Sequence, residues 1–193
     1  METLLGVLMG IGLAAACGFR VFLPLLVLSI AAKTGHVPLA PDFAWVAGVP
    51  ALVALATATV LEILAYYVPW LDHILDAIAT PAAIFAGVLA TAAVIPDLAP
   101  VLRWTLAVVG GGGIAGAVQG ATVLTRLKST ATTAGLANPV VASAEVAGAT
   151  VTSVLAIVVP VLAVVAIIAM LVIVFAITRR ILFGRRGARP RRA

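Results

Sequence analysis

The chain has 193 residues, of which 64% are hydrophobic and only 10% charged, whereas soluble domains carry roughly a quarter of charged residues. A mean hydropathy of +1.26, with apolar runs of about 20 residues or more along the whole chain, excludes a soluble globular domain and indicates an all-α polytopic membrane protein, the runs being too uniform for membrane β-strands. The net charge of +5 gathers in the last few residues, since the chain before them carries five basic against seven acidic side chains, and such a distribution argues for topology rather than a nucleic-acid partner.

The first apolar element, Leu4–Ala32, is ~43 Å long as a straight helix against a hydrocarbon core of ~30 Å, so it must tilt, break or re-enter. Arg20 lies inside it, where a cation costs at least ~2.5–3.5 kcal/mol on insertion scales. Pro24 is four places on, and its ring clashes with the carbonyl of residue 20 and leaves it without a helical donor. A small residue recurs at every fourth position, Gly6, Gly10, Ala14 and Gly18, which suits close helix packing. Cys17 is the single cysteine, so neither an internal disulfide nor a cysteine metal cluster is expected. The residues Leu13 to Cys17 look faintly like a lipoprotein cleavage site, but only Glu2 precedes the run, and without a basic leader it reads as an uncleaved helix.

A polar loop, Lys33–Asp42, leads to a second span at Phe43–Val68 carrying Glu62 and ending in Tyr66, Tyr67, Pro69 and Trp70, the composition of an aromatic belt. In Leu71–Ala79 the apolar residues fall on one face and Asp72, His73 and Asp76 on the other, as in a short interfacial helix; these three are secondary candidates for a cation, and a solvated face explains them as well. Thr80-Pro81 reads as a helix cap followed by proline at the first helical position, opening a third span that closes at Pro96 and Pro100. The fourth span, Trp104–Leu124, carries Gly112, Gly116 and Gly120 and is flanked by Arg126 and Lys128. Its Gly111–Ala117 run resembles Gly10–Ala16, which suggests an inverted repeat.

The hydroxyl-rich loop Ser129–Asn138, with Ser129, Thr130, Thr132, Thr133 and Asn138, is a candidate for presenting hydroxyls and a helix N-terminus to an anion. Asn138-Pro139 repeats the cap signature, and the chain then stays apolar to Thr178, twice what one span needs. A hairpin near Pro160 has no polar residue to sit at a surface, and exposed backbone in hydrocarbon costs several kcal/mol per group. The sequence therefore reads as about five spans, six being the alternative, with a re-entrant segment at 138–153 before one long final helix. Helix breaks are expected at Pro24, Pro81 and Pro139. Residues 1–178 form one transmembrane domain, and 179–193 a tail with Arg179, Arg180, Arg185, Arg186, Arg189, Arg191 and Arg192. That cluster places the C-terminus in the cytoplasm, near anionic lipid headgroups.

Glu62 and Glu145 are the acidic residues within apolar segments. Paired with Arg20 they form either a polar centre for an ion, proton or anionic solute or a buried pair that fixes helix register. The sequence shows no hydrolase, metallopeptidase or paired-cysteine signature, so no enzyme activity, metal or cofactor is expected, a lipid-modifying enzyme being the minor alternative.

The runs Cys17-Gly-Phe-Arg-Val-Phe-Leu-Pro24, Leu61-Glu-Ile-Leu-Ala-Tyr-Tyr-Val-Pro-Trp70, Ile78-Ala-Thr-Pro-Ala82, Gln119-Gly120, Ser129-Thr-Ala-Thr-Thr133 and Asn138-Pro139 together resemble a small bacterial membrane family catalogued as domain of unknown function 4126. The resemblance covers most of the chain apart from the Arg tail. It implies a multi-spanning protein of the bacterial cytoplasmic membrane and carries no activity with it. A small transporter or channel-like protein centred on Arg20, Glu62 and Glu145 is the leading expectation. A structural or partner-binding membrane protein, forming a homo-oligomer through its glycine stripes, is the rival.

Overall fold

The computed structural model describes residues 2–67 and 71–183, without the side chains of 71–74, 76, 174, 175 and 177–183. The helices are α1 (Glu2–Phe19), α2 (Phe22–Lys33), α3 (Val49–Ala65), α4 (Leu71–Ala93), α5 (Pro100–Leu106), α6 (Gly113–Thr133), α7 (Asn138–Val158) and α8 (Pro160–Phe183). A 3-10 turn, Pro41–Ala47, precedes α3, and a widened π-type turn, Ala107–Gly112, joins α5 to α6. Among the described residues there is no strand. The fold is all-helical, as the composition requires. The Arg tail beyond Phe183 lies outside the described residues, as do the side chains of Asp72, His73, Asp76, Arg179 and Arg180.

Close contacts fix the direction of each helix. Gly6 meets Val94 and Gly10 meets Thr91, so α1 and α4 are antiparallel. Gly87 of α4 meets Gly111 and Ala115, so the α5–α6 rod runs beside α1 in the same direction. This corrects the inverted-repeat expectation, because the two glycine runs lie parallel. Gly12 touches both Ala156 and Ala163, whereas Phe19 lies near Gly148 and packs in one cluster with Met170. The chain therefore ascends along α7 and returns along α8, in a hairpin at Val159 rather than one long final helix. The same logic shows that α2 doubles back: Arg20 bonds Ala142, whereas Val27, Ile30 and Ala31 share a cleft with Val154, Ile157 and Val158. The chain thus turns back between α1 and α2, with Arg20 at the tip, whereas 138–153 lies within the continuous α7.

Among the described residues three helical stretches are long and apolar enough to cross a membrane, α1, the Pro100–Thr133 rod and α7, and the bent pair Pro41–Ala47 with Val49–Ala65, angled by 65°, makes a fourth. The apolar parts Ala77–Ala93 and Pro160–Ile173 are shorter. The break expected at Pro81 is corrected, whereas at Pro139 the chain does break, α6 ending at Thr133 and α7 opening at Asn138. Thr80 and Pro81 lie inside the continuous α4, where proline leaves one carbonyl without a donor but other contacts hold the helix. Ser129–Thr133 is the last turn of α6 rather than loop, and Asn138 is the first helical residue of α7, with Ala137 in the cap position and Pro139 in the first turn. At the opposite end, Arg103 is ion-paired to Asp42, and Ser29 Oγ donates to the carbonyl of Val46 at 2.6 Å.

Lipid gives little hydrophobic reward for helix association, so backbone proximity and van der Waals contact carry it. A Cβ on Gly18 would stand 2.6 Å from the carbonyl oxygen of Ala115 and 2.6 Å from Val118 Cβ, whereas one on Gly120 would meet nothing within 4 Å. Gly112 and Gly116 face Val88 and Ile84 more loosely, at 3.0 and 3.3 Å, and Ala14 is fully buried. Gly18→Val is expected to lower stability by ~1–3 kcal/mol through overpacking, measured as a fall in melting temperature in detergent. Gly120→Ala is expected to be neutral or to stabilise by up to ~1 kcal/mol through helix propensity. Equal shifts for both would refute the assignment of Gly18 to a tight contact.

Candidate functional site

The break at the tip of α1–α2 follows from Pro24, which has no N–H and clashes with the preceding turn. The helix stops at Phe19, although Arg20 N–H still donates to Ala16 O at 3.1 Å. The next two N–H groups have no carbonyl below them. Val21 N–H donates to Glu62 Oε1 at 2.7 Å and Phe22 N–H to Glu62 Oε2 at 3.1 Å. Glu62, on α3, therefore caps α2 from outside with both oxygens, and its negative charge lies against the positive end of the α2 dipole.

The side chain of Arg20 is 0% exposed. Its Nη2 donates to Ala142 O at 3.0 Å and lies 3.3 Å from Glu145 Oε2. Glu145 is also held by Arg126, whose Nε donates to Oε1 at 2.9 Å while its Nη2 donates to Oε2. One carboxylate thus bridges two guanidiniums. Between them stands the ring of Tyr66, with Arg20 Cζ 4.0 Å from its centroid and Arg126 Cζ 3.9 Å from it. A desolvated cation–π contact is worth about 2 kcal/mol, and here one ring contributes two. The centre gathers two arginines and two carboxylates, so its formal charges cancel, which is what a low-dielectric interior demands. Nε and Nη1 of Arg20 are the exception, both buried with no hydrogen-bond partner.

Two clefts reach the centre from either side of the tip. A cleft of about 180 Å³ is lined by Phe19, Thr122, Thr125, Val141, Glu145 and Met170, among others. A second, of about 370 Å³, is lined by Val21, Leu61, Glu62, Tyr66, Leu75 and Ile78, among others. Phe19 lines the first and Val21 the second, the two residues that flank Arg20 in the chain.

The structure brings Arg20 and Glu145 together and sets Glu62 beside them through the backbone of Val21 and Phe22. It does not bring in the hydroxyl-rich segment. Thr132 donates to Lys128 O and Thr133 to Ser129 O, while Thr130 accepts from Asn138 Nδ2 and Thr133 accepts from Ala137 N–H. These groups close the α6–α7 turn, whereas Ser129 is half-buried and its Oγ has no hydrogen-bond partner. Thr80 is half-buried within α4. Among the described residues no three of His, Cys, Asp or Glu gather to hold a metal ion. The sequence reading missed Tyr66 and Arg126. Tyr66 is 6% exposed rather than part of an interfacial belt, and Arg126 is 4% exposed rather than a flanking charge. The spacing of Glu62 and Tyr66, four apart on one helix face, was the available signal.

The family model described as "Domain of unknown function (DUF4126)" matches residues 7–180, which include every residue of the centre. No curated protein and no solved structure matches the chain.

Proposed function

Because the chain belongs to the family described as a domain of unknown function (DUF4126), we propose from its own geometry that it is a small membrane transporter for an anionic solute bound at Arg20. The observation that carries this reading is the pair of unpartnered donors, Nε and Nη1, on a wholly buried guanidinium. A buried arginine that served only as a structural tie would gain by satisfying those donors, because each unpaired buried group costs about 1–3 kcal/mol. Glu145 and Glu62, which stand beside that guanidinium, each line a cleft, an arrangement that suits a site that an anion fills.

Orientation follows from charge. Helix α8 runs toward the same end as the α6–α7 turn, near which α6 carries Lys128, and the Arg-rich tail follows α8 in sequence. The positive-inside rule makes that end cytoplasmic. Arg126 lies seven residues before the end of α6 and Glu145 seven after the start of α7, so the centre is ~10 Å from that end. The α1–α2 hairpin then enters from the outer side and stops at Arg20.

The test is flux into liposomes holding the purified full chain, with chloride, nitrate and butyrate as solutes. Wild type is expected to carry at least one of them, and folded Arg20→Ala to fall to the protein-free background. No flux of any of the three, or equal flux in the variant, overturns transport. The second reading, a centre that only pins the hairpin, is favoured by the cancelling charges. It predicts no wild-type flux and an Arg20→Met/Glu145→Met double variant at least as stable as wild type.

A further inference from the structure

We infer that the solute is a small monocarboxylate with a short apolar tail, and that it enters the centre together with one proton taken up by Glu145. This rests on the anion reading above. The structure already shows a carboxylate in the clamp: Glu145 fills the fork of Arg126 and lies against Arg20 Nη2. An incoming carboxylate matches the same donors, and Arg20 adds Nε and Nη1, which Glu145 leaves unused. Bidentate guanidinium–carboxylate pairing favours a planar oxyanion over a spherical one.

Charge balance requires the proton. The centre holds Arg20, Arg126, Glu62 and Glu145, and a third anion would leave one negative charge uncompensated in the membrane interior, at a penalty of several kcal/mol. Protonating one carboxylate removes it. Glu62 is unsuited, because both its oxygens accept backbone N–H bonds from Val21 and Phe22, and a carboxyl proton would have to replace one of them. Glu145 is held by side chains, which can exchange partners. The charged and titratable groups facing it among the described residues are Arg20 at the tip, Arg126 of α6, and Glu62 and Tyr66 of α3. The step is a simple addition: a proton binds a Glu145 carboxylate oxygen, neutral Glu145 leaves the guanidiniums, and the solute carboxylate takes its place.

The cleft beside Glu145 sets the rest of the solute. Its walls include Phe19, Val118, Val141 and Met170, and its volume is about 180 Å³. The hydroxyls on its wall are already donating, Thr122 to Gln119 O and Thr125 to Ala121 O. A tail entering there meets no free donor among these groups, so a second carboxylate on the solute would be stranded.

The experiment is calorimetric titration of sodium butyrate into the purified full chain in detergent, in two buffers of different ionisation enthalpy. About one proton is expected to be taken up per butyrate bound, with apparent affinity weakening as pH rises. Malonate is expected to bind at least about tenfold more weakly. Glu145→Gln, a neutral mimic, is expected to bind butyrate without proton uptake and without pH dependence. Butyrate binding without proton uptake in the wild type overturns the coupling and leaves the anion centre standing. Chloride or nitrate binding that Arg20→Ala abolishes, with no butyrate binding, overturns the monocarboxylate. Binding of none of them overturns the inference and the anion reading together.

Discussion

Replacing Glu145 with alanine is expected to destabilise the protein by about 3–5 kcal/mol, the range for removing one partner of a buried charge pair. The reason lies in the geometry. Glu145 bonds Arg126 through both oxygens and approaches Arg20 at 3.3 Å, with all three side chains 5% exposed or less. Its loss leaves two guanidiniums facing each other across Tyr66 with only Glu62 to offset them. Unfolding by SDS titration from mixed micelles measures the effect. Arg126→Met/Glu145→Met is expected to recover most of it, because the double variant keeps one cation, Arg20, against one carboxylate, Glu62. The coupling between the two positions should reach the 0.5–3 kcal/mol seen for residues in one network. A Glu145→Ala variant within about 0.5 kcal/mol of wild type would remove the carboxylate from the centre of this picture.

The membrane class was legible in composition because no other arrangement buries so many apolar residues. Arg20 and the break beside it were legible too, since proline and a buried cation each break a local rule at one place. Tyr66 and Arg126 were not, and for a common reason. An aromatic or basic residue at the end of an apolar run marks the interface in sequence, yet α6 continues past Arg126 to Thr133. Depth depends on where the partner helices stop, which a window of sequence does not contain. The hairpin at Val159 escaped for a different reason. Part of its backbone is satisfied internally: Val159 N–H donates to Leu155 O at 2.8 Å and Ala163 N–H to Val159 O at 3.2 Å. Pro160 has no N–H to satisfy. The turn therefore leaves fewer unpaired groups than its lack of polar side chains implied.

Glu62→Ala is expected to be the second costly substitution, and to act on the backbone rather than on Arg20. Removing the side chain leaves the N–H groups of Val21 and Phe22 without acceptors. At about 1–3 kcal/mol for each unsatisfied buried donor, the loss is ~2–6 kcal/mol. Glu62→Gln retains one acceptor and should fall between the variant and wild type, near ~1–3 kcal/mol. The distinguishing measurement is amide hydrogen exchange in detergent. Val21 and Phe22 should exchange faster in Glu62→Ala, less so in Glu62→Gln, while the amides of α1 between Gly10 and Gly18 stay protected by their own helix. Unchanged protection at Val21 and Phe22 would mean that Glu62 does not cap α2. If the cap is lost as expected, α2 is freed from α3 at the residue that follows Arg20. Anion transport should then weaken in a folded Glu62→Ala variant even though Arg20, Arg126 and Glu145 are all present, because the tip that positions Arg20 is held from α3.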